Sequence, residues 1–472
     1  MAKQLNRSIG LWGAVATAVG IVVSSSAMVS LGQGFGIGGP GFIIAMAVAL
    51  ALNLCVAFSF SELSGIIPRA GGLNHYTLPA MGPFIGMIAV ISGYVLVTIF
   101  AGSAEAGIAG IVLNEVFSSE LNPTIIAIAV VALLGLANLF GVEAYSWTQV
   151  ALTSLLILST VIIGIIGLAG MGSTEPVPAS LEFNPMGWGV LSLTSLAFWL
   201  FVGVEFVTPL AEEVKKPKVY IPLAMILGLV IILLADLVFG FAAVKYAPLE
   251  TLAGSASPHV EAASAILGKP GVIWMGIVTF LATASTLNTL IGAIARMLYG
   301  MGLDGQMPKV FGKLNRWGAP WVAIAFMCAL FVIFLLVGIT NSSSLVTFIL
   351  AGCICWMIAY IIAHLNVILL RLKYPNVQRG FKSPFGITFQ VIGIAGMLYI
   401  IFNIFPDPAI RADIYKFTLI FLGLTVVYSA WWVKFVMKKK LFETTPLEEL
   451  QVASEEVQLD AKTGPSEEAV TS

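Results

Sequence analysis

The chain has 472 residues, of which 59% are hydrophobic and only 10% are charged. Soluble domains carry about 25% charged residues, so this composition excludes an ordinary soluble protein and predicts an all-α polytopic membrane protein. The net charge of −1 gives no bulk attraction to nucleic acid. An outer-membrane barrel would need alternating strands of about ten residues, whereas the apolar runs here are continuous and longer.

Runs of about twenty apolar residues predict twelve membrane spans. They cover residues 10–33, 41–66, 83–113, 124–141, 147–170, 188–209, 221–246, 272–295, 319–339, 344–370, 387–405 and 416–436. With a cytoplasmic N-terminus, all but Lys245, Lys269, Arg411 and Lys416 of the 23 basic residues fall on the cytoplasmic side. The positive-inside rule therefore predicts a multi-pass protein of the plasma or inner membrane, with both termini in the cytoplasm.

The spans divide the chain into two halves of five spans and a final pair. We predict a cytoplasmic N-terminus (1–9), spans 1–5 (10–170), spans 6–10 (188–370), spans 11–12 (387–436) and an acidic, disordered cytoplasmic tail (443–472). An amphipathic piece at residues 260–267 predicts a small external helix.

Span 1 carries three consecutive serines, Ser24-Ser25-Ser26, near the middle of the membrane. Their hydroxyls could bond back to carbonyls of the preceding turn or line a helix contact. Alternatively, the helix is unwound there, and its amides and hydroxyls face a polar cavity. Irregular backbone at that depth is tolerated where it is buried in protein or lines a cavity.

Span 6 carries Gly203, Glu205 and Pro209 in one stretch. A proline leaves a backbone carbonyl without its donor, and an ionised carboxylate costs roughly 2.5–3.5 kcal/mol at the centre of a spanning helix. Spans 1 and 6 are the first spans of the two halves, and paired interruptions at such positions point to a transporter site. We therefore predict a cavity between them, with half-helix N-termini directed at an anionic group.

Four motifs follow one another in order along residues 10–385. They are Ser61-Glu-Leu-Ser-Gly-Ile-Ile-Pro-Arg-Ala-Gly-Gly72 with Tyr76; residues 198–205 with Glu212-Glu-Val-Lys-Lys-Pro217 and Pro222; Asn288 with residues 296–308; and Arg379-Gly-Phe-Lys-Ser-Pro384. Together with twelve spans, this set resembles the amino acid–polyamine–organocation (APC) permeases. The resemblance implies a leucine-transporter-like fold of two five-span inverted repeats with broken helices 1 and 6, and peripheral spans 11 and 12. It also implies secondary active transport by alternating access.

In that family, the carboxylate and amine of an amino acid bind to the unwound turns of spans 1 and 6. The resemblance places these turns at residues 23–27 and 197–202. Span 3 also lines the family's site. The predicted substrate-binding residues are Val23, Ser24, Ser25, Ser26, Ala27, Ser103, Glu105, Ala197, Phe198, Trp199 and Phe201. Trp199 matches a gating aromatic of arginine–agmatine exchangers and Glu205 matches their span 6 glutamate, so both are predicted to gate or couple, as is Glu62 in the first motif.

The sequence departs from the family in two places. Serines replace the usual Gly-x-Gly turn of span 1, and serine lacks the conformational freedom of glycine. Amide donors can remain, but it is open whether a substrate carboxylate nests there as in other members. The span 5 lysine of some proton-coupled members aligns with Leu156, so that route is not expected.

The carboxyls predicted within the spans allow more than one interpretation. Glu105 could be a protonated group satisfied by neighbouring backbone, or a counter-charge for a substrate amine or a proton carrier. Glu205 fits a gate or a packing network better than a direct ligand. For Asp236, bonding between helices is favoured over coordination of an ion. Desolvation disfavours the charged form of such groups.

The remaining buried polar groups are also ambiguous. Ser285 and Thr286, with span 1 carbonyls, could form a sodium site, because hard cations suit such oxygens. Serine near this point is also common in proton-coupled members of the family, so the coupling ion could be H⁺ or Na⁺. For His364, packing is favoured over a role as a proton relay, and for Trp356 packing is favoured over a position in a cavity wall.

The sequence predicts a permease that moves amino acids or related small amines. One alternative is a carrier for cationic amines or polyamines that lack a carboxylate, and a second is a substrate sensor without net transport. No ATP-binding motif or enzyme constellation occurs, so we expect no catalytic activity and no cofactor. The expected partners are a small-molecule substrate and the lipid bilayer, not nucleic acid.

Overall fold

The structure is a computed structural model of the chain, and it describes residues 7–68, 71–117, 122–177, 183–255, 257–336, 345–405 and 408–450. The predicted N-terminal segment 1–9 is described from Arg7 onward, and the predicted tail 443–472 as far as Leu450. The remainder of both segments lies outside the described residues.

The described residues form helices along the whole chain. The α-helices are α1 (Leu11–Gly20), α2 (Ser25–Gly38), α3 (Phe42–Ile66), α4 (Leu73–Met81), α5 (Pro83–Val90), α6 (Ser103–Phe117), α7 (Pro123–Leu139), α8 (Val142–Leu168), α9 (Thr194–Trp199), α10 (Pro217–Tyr246), α11 (Leu249–Gly254), α12 (Pro258–Leu267), α13 (Lys269–Leu303), α14 (Trp321–Leu336), α15 (Leu345–Lys373), α16 (Thr388–Phe402) and α17 (Pro408–Trp431). Short 3₁₀ or π segments extend several of them.

Eight helical segments in the described part of the chain are long and apolar enough to cross a membrane. Four shorter apolar helices, α1, α7, α14 and α16, lie among them. A bilayer core about 30 Å thick needs helices of this length. The structure therefore agrees with the prediction of an all-α protein that spans the membrane many times.

Predicted span 1 consists of two helices. α1 ends at Gly20, and α2 begins at Ser25 and continues to Gly38, five residues beyond the predicted end. Ser24 is the N-cap residue of α2, and its hydroxyl accepts a hydrogen bond from the Ala27 amide at 3.0 Å. Serine is one of the residues that favour this position, which explains why a new helix starts here.

Predicted span 6 also changes conformation midway. α9 ends at Trp199, and a 3₁₀ segment, Val204–Leu210, follows a short turn. Gly203 has a φ of +116°, a region that side chains other than glycine rarely adopt. A Cβ at this position would also lie 2.7 Å from Cγ2 of Ile21, so the turn depends on glycine.

Helices α8, α10 and α13 surround the interrupted helices. α10 packs against α1, α3 and α8, and α13 packs against α6, α7 and α8. Glycines allow this close approach: a Cβ at Gly164 of α8 would lie 2.7 Å from Val238 of α10, and one at Gly228 of α10 would lie 3.3 Å from Val19 of α1. Such small residues are expected between membrane helices, where packing replaces the hydrophobic effect. The core of the bundle therefore lies around the turn between α1 and α2.

Ion pairs close the end of the bundle that carries α4. They join Glu62 to Arg371 and Arg379, and Glu213 to Arg296, with N–O distances of 2.5–3.0 Å. Nε2 of His75 lies 2.6 Å from Oδ2 of Asp304 at the same end. Burial raises the pKa of Glu213, and the neighbouring Arg296 guanidinium opposes that shift. Buried pairs such as these cost several kcal/mol to break by removing one partner.

Both chain-terminal segments pack at this same end. Ile9 exchanges backbone hydrogen bonds of 3.0 Å with Glu213 and Lys215. At the other terminus, the Thr445 amide donates to the Leu78 carbonyl of α4 at 3.2 Å, and the side chain of Leu447 is buried. Residues 443–450, within the predicted tail, thus lie against the bundle.

Helices α11 and α12 cover the opposite end. α12 extends from Pro258 to Leu267 and confirms the helix predicted at residues 260–267. α11 packs against α2, and α12 packs against α13. His259 of α12 is buried, and its Nε2 lies 3.1 Å from the Thr279 hydroxyl; burial lowers the pKa of this histidine to about 4.

Candidate functional site

The turn between α1 and α2 exposes the amino terminus of α2 inside the bundle. The first four N–H groups of a helix have no partner within the helix. Together with the helix dipole, they form a site that attracts negative charge. Here the N–H groups of Ser25 and Ser26 point towards span 3.

The carboxylate of Glu105 occupies this helix N-terminus. The Ser25 amide donates to Oε2 at 3.0 Å, and the Ser26 amide donates to Oε1 at 2.9 Å. The hydroxyls of the same two serines donate to the same two oxygens. Each oxygen of Glu105 therefore accepts one backbone and one side-chain hydrogen bond, although the side chain is only 2% exposed.

The shape of span 3 brings Glu105 to this position. The helix contains π turns at Ile91–Leu96 and Thr98–Gly102, directly before α6 begins at Ser103. A π turn inserts an extra residue into the helical repeat and rotates the residues that follow it, and it is frequent at functional sites. The number and spacing of apolar residues in span 3 do not predict this rotation.

Two further side chains tie the serine turn to neighbouring helices. The Trp199 indole of α9 donates from Nε1 to Oγ of Ser26 at 2.9 Å. From α13, the Thr283 hydroxyl lies 3.3 Å from Oγ of Ser25 and 3.4 Å from the Glu105 carbonyl. Spans 1, 3, 6 and 8 therefore meet at this one group of polar atoms.

Glu205 is the second carboxyl of the region, and it is fully buried. The Trp356 indole donates to Oε1 at 2.8 Å, and the Tyr360 hydroxyl donates to Oε2 at 2.6 Å. The Gly203 amide donates in turn to the Tyr360 hydroxyl at 3.0 Å. The turn in span 6 is thus bonded to α15 through an aromatic and carboxyl network.

A cavity of about 20 Å³ lies between these two carboxyl sites, and it has room for about one water molecule. Its lining residues are Ile21, Val22, Ser24, Val97, Ala101, Gly102, Glu105, Trp199, Val202, Thr286, Leu290 and Trp356. The centroids of the two indole rings are 5.8 Å apart, and the rings meet edge to face. None of the described residues that line the cavity is basic.

The chain matches the family model described as "Amino acid permease" over residues 9–430. The chain belongs to the amino acid permease family. This membership confirms the resemblance to APC permeases drawn from the four motifs. The chain is therefore a membrane transporter of amino acids or amines and not an enzyme.

Several relatives resemble this permease along most of its length. The branched-chain amino acid permease of Bacillus subtilis is 24% identical over 85% of this chain and 89% of its own. An inner membrane transport protein of Escherichia coli is 24% identical over 76% of this chain and 83% of its own. An S-adenosylmethionine permease of Candida albicans is 26% identical over 80% of this chain and 66% of its own.

The hydroxyl and carbonyl oxygens predicted as a possible sodium site form hydrogen bonds with one another and with a side-chain amide. The Ser285 hydroxyl donates to the Gly20 carbonyl at 2.7 Å, and the Thr286 hydroxyl donates to the Ile21 carbonyl at 3.3 Å. The Gln149 amide of α8 donates to Oγ of Ser285 at 2.8 Å. In this structure these oxygens are engaged in hydrogen bonds within the protein.

A second small cavity, of about 10 Å³, lies on the other side of the serine turn. Asp236 of α10 lines it together with Val23, Ala27 and Thr160. The side chain of Asp236 is 8% exposed. The sequence favoured a hydrogen bond between helices for this residue, and the structure places it beside a cavity.

The other predicted site residues lie near the two turns in different roles. Ser103 is buried, and its hydroxyl has no hydrogen-bond partner among the described residues. Ala197 and Phe198 accept backbone hydrogen bonds that form the span 6 turn, from Leu200 and Phe201 respectively. The side chains of Ser103, Ala197, Phe198 and Phe201 do not line the cavity between the two carboxyl sites. Glu62 lies in the ion pairs at the α4 end, away from the turns.

Sequence reasoning assigned no site role to three contributors to this region. Trp356 was favoured as a packing residue, but its indole lines the cavity and binds Glu205. Tyr360 lies one helical turn further along α15 and shares that role. Gln149 lies near the start of predicted span 5, where a polar residue looks like an ordinary helix end. A polar or aromatic stripe at helical spacing on spans 5 and 10 is the signal that could have found them.

Proposed function

We propose that the permease is a secondary active transporter that moves amino acids or related small amines across the plasma membrane by alternating access. The observation that best supports this is the cavity between the turns of spans 1 and 6. It is lined by Glu105, Trp199 and Trp356. The end of the bundle that carries α4 is closed by ion pairs, and the opposite end is closed by α11 and α12.

The helices are consistent with twelve spans in two related halves. α1 and α2 form one interrupted span, and α3, the α5–α6 segment, α7, α8, the segment around α9, α10 and α13–α17 provide eleven more. We assign residues 10–170 and 188–370 to five-span inverted repeats, and 387–436 to the peripheral pair. In this assignment the two interruptions fall in the first span of each repeat, as in transporters with broken helices.

The α4 end is the cytoplasmic end in this proposal. The ion-paired residues Arg296, Arg371 and Arg379 lie there, and so do both chain-terminal segments. Positive residues concentrate on the cytoplasmic side of membrane proteins. Opening the site to the cytoplasm then requires the Glu62 ion pairs to break, which gives Glu62 its gating role.

The indole of Trp199 separates the two carboxyl sites and acts as the gate over the cavity. It is 5% exposed, bonds to Ser26 and packs edge to face on Trp356. The cavity holds about one water molecule in this closed form, so a substrate can enter only when the two indoles move apart. Glu205 accepts a hydrogen bond from the Trp356 indole, so movement of that indole would change the surroundings of the Glu205 carboxyl.

The names of the relatives support this substrate range. One is a branched-chain amino acid permease and another an S-adenosylmethionine permease. Their identity to this chain is 24% and 26%, so the names support a class of substrate and not a single compound.

Uptake by the purified permease in proteoliposomes tests the proposal. We expect time-dependent uptake and counterflow of members of an amino acid and amine panel. Trp199→Ala is expected to lower uptake by roughly tenfold or more, as for other buried tryptophan anchors. Trp188→Ala is the matched control, because that indole is 84% exposed, and it should transport normally. Ligand binding without flux would indicate a sensor and contradict the proposal.

A further inference from the structure

The helix N-terminus that could bind a substrate carboxylate already holds a carboxylate of the permease itself. We propose that Glu105 is a built-in substitute for a substrate carboxylate, and that the permease therefore selects small cationic amines that have no carboxylate. This inference rests on the proposed function and names its substrate class.

No donor at the start of α2 remains available. The Ser25 and Ser26 amides bond to Glu105, at 3.0 and 2.9 Å. The Ala27 amide bonds to Oγ of Ser24 at 3.0 Å, and the Ser24 amide bonds to the carbonyl of Val22 at 2.9 Å. All four N–H groups that a helix leaves unpaired at its start are thus satisfied. A substrate carboxylate would have to displace Glu105 to bind here.

The serine hydroxyls strengthen this occupation. Ser25 and Ser26 each donate a second hydrogen bond to the oxygen that their own amide already contacts. Glycines at these positions would leave the amides and remove both hydroxyls. Of the two serines that replace the family's glycines, Ser26 bonds directly to the carboxylate of Glu105, and Ser24 caps the start of α2 by accepting from the Ala27 amide.

The charge of the cavity favours a cation. Glu105 is the only ionisable residue in the lining described above, and the remaining lining is apolar apart from two indoles and the hydroxyls of Ser24 and Thr286. Indole faces attract cations, so Trp199 and Trp356 suit an ammonium group. A second carboxylate would face Glu105 without a basic partner, and like charges in such a site select against that ligand.

The test compares amino acids with the amines that they become on decarboxylation. Suitable pairs are leucine with isopentylamine, ornithine with putrescine, and phenylalanine with phenethylamine. We expect each accepted amine to be taken up by the wild-type permease in proteoliposomes at least about tenfold more efficiently than its parent amino acid. The same order is expected for ligand-dependent increases in melting temperature of the purified protein.

Glu105→Ala should reverse this selectivity. The substitution frees the Ser25 and Ser26 amides for a substrate carboxylate and removes the counter-charge for an amine. Amino acid uptake should rise and amine uptake should fall. Glu261→Ala is the matched control, because that glutamate is exposed on α12, and it should keep the wild-type ratio.

The outcomes separate the two proposals. Uptake of amino acids in preference to amines by the wild-type permease would overturn the selectivity and leave the proposed function in place. No uptake of any member of the pairs would contradict the proposed function as well. The wild-type ratio decides the selectivity even if Glu105→Ala fails to fold. A folded Glu105→Ala protein that keeps the wild-type ratio would also overturn it.

Discussion

Two buried carboxyls flank the same pair of indoles, and they differ in the kind of partner that holds them. Each oxygen of Glu105 accepts a hydrogen bond from a backbone amide, of Ser25 or Ser26, as well as one from the hydroxyl of the same serine. Glu205 accepts hydrogen bonds from the side chains of Trp356 and Tyr360. An amide can only donate, whereas a phenol hydroxyl can donate or accept. Glu105 is therefore held in one role, while Glu205 can exchange roles with one of its partners.

Burial alone does not explain this difference, because the two side chains are 2% and 0% exposed. The difference comes from the backbone. A helix begins at the Glu105 site, so its unpaired amides fix the carboxylate as an acceptor. At the Glu205 site the Gly203 amide bonds to the Tyr360 hydroxyl. Glu105 is therefore held as a bound carboxylate ligand would be, whereas the hydrogen bond between Glu205 and Tyr360 can reverse its direction.

Glutamine substitutions should separate the two sites most strongly. In Glu105→Gln, the new NH₂ group must face an amide that can only donate. A buried donor then stays unsatisfied, and we expect a loss of about 1–3 kcal/mol in stability together with loss of transport. In Glu205→Gln, the NH₂ group can donate to the Tyr360 hydroxyl while the oxygen keeps the Trp356 bond, so the stability loss should be smaller. Unfolding in detergent and uptake in proteoliposomes measure both effects.

Equal destabilisation by the two glutamines would show that the amides at the start of α2 do not distinguish the sites. Glu261→Gln on exposed α12 serves as the control for the chemical change, and it should leave both unfolding and uptake unchanged.

Gly203→Ala should damage the Glu205 site and spare the Glu105 site. The φ of +116° is strained for alanine, and the new Cβ would lie 2.7 Å from Ile21 and 3.3 Å from Trp356. We expect a loss of about 1–3 kcal/mol in stability and slower transport. Gly423→Ala is the control, because a Cβ there meets no atom within 4 Å. A normal melting temperature for Gly203→Ala would show that the span 6 turn can move to accept a side chain.

The sequence predicted much of the fold because apolar run length is set by the bilayer. Residues 217–246, for example, form one long helix where a span was predicted at 221–246. The serines of span 1 and Glu105 were also selected as site candidates, since polar groups at that depth are costly. The family resemblance supplied the two turns at which these residues meet.

The contact between Glu105 and the serines could not be predicted. It depends on how far span 3 is rotated, and the π turns at residues 91–102 set that rotation. Apolar composition is the same for an α and a π turn, so the pattern carries no sign of it. Likewise, the partners of Gln149 come from α1 and α13, and only the packing of three helices brings them together.

Removing one hydroxyl from each site should give unequal effects. Ser26→Ala leaves the Ser26 amide on the same oxygen of Glu105, so we expect a loss of about 0.5–1.5 kcal/mol. Tyr360→Phe removes the described donor to Oε2 of Glu205 and the acceptor of the Gly203 amide. Its cost should be larger, about 1.5–3 kcal/mol. The free energy of unfolding of both variants measures the difference, and a larger loss for Ser26→Ala would contradict the role given to the backbone.

The smallest effect is expected from sodium, because the polar atoms beside the serine turn are satisfied as completely as Glu105 is. The Gln149 amide donates to the Ser285 hydroxyl, and that hydroxyl donates to the Gly20 carbonyl. Replacing sodium by choline should therefore leave the initial rate of uptake unchanged. Gln149→Ala would free these oxygens, and a sodium dependence that appears only in this variant would show that the amide takes the place of a cation. Full loss of wild-type uptake in choline would contradict this prediction. It would show that the hydrogen bonds between Gln149, Ser285 and Gly20 break during transport so that an ion can bind.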